Sequence, residues 1–90
     1  MNLSDKITIP AQVMARQVGE ETVILDLTSG TYFGLDPVGA RIWQLMVEGK
    51  TLAEVCEAML AEYEVTAEKI ELDVLALTQE LSAKQLISVA

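Results

Sequence analysis

Ninety residues carry 14 acids against 6 bases, for a formal net charge of −8, and 51% of them are hydrophobic. The length allows one core and not two, and the apolar content excludes a disordered chain. The charge disfavours a phosphate backbone as partner, and a single cysteine with no histidine excludes a disulfide framework and argues against a metal site.

The opening MNLSDKITIP sets an acid beside its one lysine and has no continuous apolar block, which argues against a secretory signal. No apolar run in the chain approaches a membrane span, so a cytoplasmic location is expected. Residues 1–10, closed by Pro10, show no periodicity and are expected to form a loose N-terminal arm ahead of a single domain over residues 11–90. From Ala11 to Val18, Val13 and Ala15 alternate weakly with Gln12, Met14 and Arg16, a strand signal. Gly19-Glu20-Glu21 reads as a turn. Thr22 to Thr28 is the strongest strand, with Val23, Leu25 and Leu27 on one face and Thr22, Ile24, Asp26 and Thr28 on the other. Ser29-Gly30 is expected to make the hairpin turn, because glycine tolerates positive φ, and Thr31 to Leu35 follows as a third strand.

The composition then turns helical. Asp36 followed by Pro37 predicts an N-cap with proline at the first helical position. Val38, Ile42, Leu45 and Met46 share a face, with Trp43 beside it, and Gly49 stops the helix. Thr51-Leu52-Ala53-Glu54 is a capping box opening a second helix, whose Leu52, Val55, Cys56, Met59 and Leu60 have core spacing. Thr66 caps a third helix running to about Lys84, with Glu68 in its first turn. In that helix Ile70, Val74, Leu77 and Leu81 form one stripe. Leu72, Leu75 and Ala76 form a second, which is either further core or the wall of a groove. The sum is an α+β, winged-helix-like domain: a three-stranded antiparallel sheet followed by three helices.

Few chemistries survive this inventory. Without histidine there is no Ser-His or Cys-His nucleophile. Cys56 lies on an apolar helix face beside Glu57, a setting that raises a thiol pKa. Gly34 and Gly39 have the spacing of a phosphate loop but lack the Lys-Ser/Thr that would follow. None of Ser4, Ser29, Ser82 and Ser88 sits where a carrier protein holds its prosthetic arm. A DNA-reading last helix would need bases, yet this one sets Glu68, Glu71, Asp73 and Glu80 against Lys69 and Lys84 and has no arginine. The third strand remains. It has a partner on one side only, and no lysine or proline protects residues 31–35, so it is a template for an added strand. The plainer alternative is that Tyr32 and Phe33 simply pack and a loop covers the edge.

The run ETVILDLTSGTYFGLDPVGARIW, residues 21–43, resembles the PqqD-like family of precursor-peptide recognition domains. The resemblance continues through Gly49-Lys50-Thr51-Leu52 and Leu86-Ile87, covering about residues 11–88. Asp36-Pro37 replaces an Asn-x found in many relatives, and aspartate caps as well as asparagine. The stand-alone length is similar to that of leader-binding proteins in lasso-peptide pathways, where a separate cysteine protease removes the leader. A PQQ-type peptide chaperone serving a radical enzyme is the alternative.

The resemblance implies a domain without catalytic activity or cofactor. A leader peptide would add as a strand beside residues 31–35, in a cleft under the last helix, and be delivered to a protease or other modifying enzyme. It implies backbone hydrogen bonds from Thr31, Tyr32, Phe33, Gly34 and Leu35, with Tyr32 or Phe33 as an aromatic wall. It sets Leu72, Leu75 and Ala76 opposite, and Asp73 and Gln79 at the polar rim.

Overall fold

The computed structural model describes residues 2–89. In chain order the elements are β1 (Ile7–Thr8), β2 (Val13–Val18), β3 (Glu21–Asp26), β4 (Tyr32–Leu35), α1 (Pro37–Val47), α2 (Leu52–Glu62), α3 (Ala67–Ala83) and β5 (Ser88–Val89). Strands β2, β3 and β4 form an antiparallel sheet in that order, and β1 pairs with β5 in a second, two-stranded one. The α+β architecture read from the sequence, a three-stranded antiparallel sheet followed by three helices, is the one observed.

Register decides which face of the sheet is buried. Val13 stands opposite Asp26, Ile24 opposite Phe33, and Thr22 opposite Leu35. Directly opposed residues share a face. With Val13 and Leu35 buried, Ile24 and Asp26 must point inward too. The more apolar face of β3 therefore points outward: Val23 and Leu25 are half-buried and Leu27 is exposed. An inward carboxylate is tolerated because Asp26 Oδ1 accepts from the backbone N–H groups of Thr28 and Ser29, at 2.8 and 3.1 Å. These bonds also end the strand earlier than Thr28 and widen the hairpin beyond Ser29-Gly30. The Asp26 N–H donates to the Thr31 carbonyl, and Gly30, at φ 79°, donates back to the Asp26 carbonyl.

The helix starts match their sequence signals. Asp36 Oδ1 accepts from the Gly39 N–H at 2.7 Å with Pro37 in the first turn, and Gly49 follows the end of α1 at φ 87°. At α2 the Thr51 hydroxyl accepts from the Glu54 N–H, and Glu54 Oε1 accepts from the Thr51 N–H, at 3.2 and 2.8 Å. The Arg41 guanidinium on α1 donates to both carboxylate oxygens of Glu62 on α2, fixing one helix against the other. Along α3 the buried stripe is Ile70, Val74, Thr78 and Leu81, with Thr78 where Leu77 was expected. Spacings of four, four and three follow the 3.6-residue period. The Thr78 hydroxyl donates to the Val74 carbonyl at 2.6 Å, so its burial strands no polar group.

The opening residues are not loose. The first N–H groups of α2 have no partner within the helix. Those of Leu52 and Ala53 donate to the carbonyls of Asp5 and Leu3, at 3.0 and 2.7 Å. Ile7 is buried, and β1 is held by β5 with Ile7 opposite Val89. The last turn of α3 is reversed by Gln85 in the left-handed region, at φ 60°, which drops Leu86 and Ile87 into the core.

Two outcomes check this account. Ile7→Ala should lower unfolding free energy in urea by about 2–4 kcal/mol, as for other buried isoleucines; a loss below about 0.5 kcal/mol would put β1 outside the cooperative fold. The Thr51 backbone hydrogen bond, followed by the Thr51 hydroxyl, holds the Glu54 carboxyl below its ordinary value. A pKa lower in the folded state stabilises the fold above the unfolded carboxylate range, and that contribution fades as pH falls through the folded value. Glu54→Gln should therefore lose less melting temperature than the parent between about pH 6 and about pH 3. Equal losses would remove Glu54 from the acid response.

Candidate functional site

The one-sided sheet leaves β4 with β3 along one edge and no strand along the other among the described residues. Backbone N–H and C=O groups on such an edge await a partner. Beside β4 lies a cleft of about 380 Å³ between the strand and α3, at the small end of ligand-pocket volumes. The strand side supplies Phe33, Gly34 and Leu35, and the turn into α1 supplies Asp36, Val38 and Gly39. The helix side supplies Asp73, Ala76, Leu77 and Glu80.

The two aromatics separate. Phe33 lies on the inner face with Leu35, packs against the core and lines the cleft, and Lys84 Nζ sits 5.8 Å from its ring centroid. Tyr32 points the other way and is 72% exposed. On that outer face it continues a cross-strand row, Met14 opposite Leu25 and Leu25 opposite Tyr32.

Of the residues the sequence nominated, Phe33, Gly34, Leu35, Asp73 and Ala76 line the cleft. Thr31 is tied into the hairpin through its carbonyl. Leu75 is half-buried against the core. Leu72 is exposed in a neighbouring depression with Thr66, Glu68, Lys69 and Asp73, the last of which also lines the cleft, and Gln79 is exposed outside the cleft. Of the helix residues expected at the site, Asp73 and Ala76 line the cleft, and Leu72, Leu75 and Gln79 fall beside it, about 100° around the helix from a neighbouring lining residue. Leu72, Leu75 and Gln79 neighbour the row Asp73, Ala76, Leu77, Glu80 that meets the cleft. The cleft is also lined by Asp36, Val38, Gly39, Ile42, Leu77 and Glu80, which the sequence reading does not nominate. The spacing of three and four between Asp73 and Glu80 is the available signal for the helix residues, masked by the assignment of Leu77 to the core stripe.

The cleft is acidic. Asp36, Asp73 and Glu80 line it, and they are not equivalent. Asp36 is the cap of α1, and Asp73 pairs with Lys69 at 3.2 Å. The Glu80 side chain has no hydrogen-bond or ion-pair partner among the described residues. A larger groove, about 810 Å³, runs between β2 and α1 and contains Val13, Ala15, Trp43 and Met46. None of the nominated residues reaches it.

A family model described as coenzyme PQQ synthesis protein D (PqqD) matches residues 21–87. Among solved structures, a chain described as TbiB1 in complex with the TbiA(beta) leader peptide is 41% identical, with a TM-score of 0.83, covering 90% of this chain and 94% of that one. A second, described as lasso peptide synthetase B1 complexed with the leader peptide, is 28% identical, with a TM-score of 0.84, covering 92% of this chain and 98% of that one. No curated protein matches this chain.

The chain's one thiol lies apart from the cleft. Cys56 is buried among the α2 core residues, and burial, then the charge of Glu71, pushes its thiol up from the ordinary value. Cys56 should react with a thiol-specific disulfide reagent only as fast as the fold opens, and Cys56→Ala should leave ligand binding unchanged. Rapid labelling of the folded protein would contradict this burial.

Proposed function

The chain belongs to the PqqD family, as a PqqD-like RiPP recognition element, and on that premise we propose that it binds the leader segment of a ribosomally made precursor peptide by adding it as a strand to β4. The observation that carries the reading is the unpaired edge of β4 opening onto a cleft whose far wall is α3. Two structurally similar chains that hold leader peptides support it.

Strand addition divides the work. The β4 backbone supplies hydrogen bonds that are blind to sequence, and alternate leader side chains enter the cleft and supply selectivity. Four or five ladder bonds at about 0.5–1.5 kcal/mol each contribute a few kcal/mol. Two or three buried leader side chains add about 1.5–3 kcal/mol each. Ordering a disordered leader costs several kcal/mol back. The balance is about −7 to −10 kcal/mol, roughly micromolar to tens of nanomolar.

The reading assigns the domain no reaction of its own. It holds the leader while a separate enzyme, a cysteine-type leader protease in a lasso-peptide pathway, acts on the precursor. The solved relative described as a lasso peptide synthetase favours that pathway over a PQQ-type one.

A fluorescent TbiA(beta) leader peptide titrated with this protein should show saturable polarisation at about micromolar or tighter, lost on scrambling the peptide. Ala76→Arg fills the cleft from an exposed helix position and should weaken binding more than about tenfold with unchanged circular dichroism. Leu72→Ala, outside the cleft, should change it less than about twofold. Binding indifferent to Ala76→Arg would move the site elsewhere, and no saturation for the intact leader would remove leader binding from the reading.

A further inference from the structure

The walls of the cleft carry information about its occupant. Its floor is apolar, with Phe33, Leu35, Ala76 and Leu77, but the side chain left without a partner is an acid, Glu80. Asp73 beside it is matched by Lys69 at 3.2 Å. Lys84, one turn beyond Glu80, sits over the Phe33 ring and makes no ion pair with it. The net charge of −8 favours cationic partners at long range, while at the cleft itself Lys69 is taken up by Asp73 and Lys84 lies over Phe33.

Spacing ties the acid to the floor. A strand laid along β4 turns every second side chain toward α3, at intervals of about 6.6–6.8 Å. On α3, Ala76 and Glu80 are four residues apart, about 6 Å along the axis. Ala76 and Glu80, which line the same cleft as β4, thus have a spacing that matches two successive cleft-facing side chains of the docked strand. Ala76 leaves room for a large apolar group, and Glu80 awaits a cation.

We infer that the docked segment carries a lysine or arginine two residues from its apolar anchor, with the cation held by Glu80. This rests on strand docking at β4 as proposed above. An ion pair at an open rim is modest, so neutralising Glu80 should weaken binding by about two- to fivefold at low salt, with the difference closing as salt screens it.

The test is a displayed library of random twelve-residue peptides selected in parallel on the intact protein and on its Ala76→Arg and Glu80→Gln variants. Both changes lie on the exposed side of α3, and circular dichroism checks their fold. Peptides retained by the parent and refused by Ala76→Arg should show an excess of lysine or arginine two positions from an aromatic or large aliphatic residue. On Glu80→Gln that excess should vanish while the apolar residue persists. A synthesised winner with its base changed to glutamine should lose about threefold on the parent and nothing on Glu80→Gln. Ala76-dependent peptides with no such excess, or an excess that survives Glu80→Gln, would overturn the inference and leave strand docking intact. Failure to recover any Ala76-dependent peptide would overturn strand docking, and this inference with it.

Discussion

A strand that becomes a helix without an intervening loop constrains everything around it. Leu35, the last residue of β4, is buried, and the next residue, Asp36, is already the cap of α1. The chain must leave the sheet while Leu35 is anchored and turn at once so that the Asp36 carboxylate meets the Gly39 N–H. A Cβ on Gly39 would lie 3.3 Å from Asp36 Oδ1 and from Leu35 Cδ2, so a larger residue there would press on both the cap and the anchor, each of which would have to give by a few tenths of an ångström. Anchoring Leu35 fixes the parity of β4, places Phe33 inward and Tyr32 outward, and through cross-strand pairing carries Ile24 and Asp26 into the core.

The same anchor places the edge. On the inner face of the three-stranded sheet the core sits against β3 and the end of β4, and α3 stands across a cleft from β4 rather than sealing it. Phe33 serves two surroundings: part of its ring packs on the core and part faces the cleft, with a lysine nearby. The Tyr-Phe pair is thus two adjacent residues with opposite exposures, set by the two-residue period of a strand. Charge follows the same economy. Acids that cap, pair or close a turn are spent inside the fold, and Glu80 stands free beside an apolar floor.

Local signals were legible wherever a single short-range interaction decides the structure. The caps at Asp36, Thr51 and Thr66, the strand-turn-strand pattern and the stop at Gly49 depend on residues three or four apart, and a sequence displays these directly. Long-range choices were not. Nothing near Lys6 or Ile7 announces that the segment pairs with Ser88 and Val89 and lends its carbonyls to α2. On β3, apolarity favoured the Val23, Leu25, Leu27 face, but register with Val13 and Leu35 buried the other one. On α3, Thr78 takes the fully buried place because a hydroxyl bonded to its own helix can be buried, and Leu77 is left partly buried, packed on the core while lining the cleft with Asp73, Ala76 and Glu80.

The pairing of β1 with β5 has a topological consequence. Antiparallel partners lie about 5 Å apart, so the described chain closes on itself where Ile7 meets Val89, and the residues before Ile7 run on to the start of α2, where the Asp5 and Leu3 carbonyls accept from Leu52 and Ala53. The described fold is in effect a ring with one seam: β1 ties that seam to the first turn of α2, and the three-stranded sheet stands apart from it.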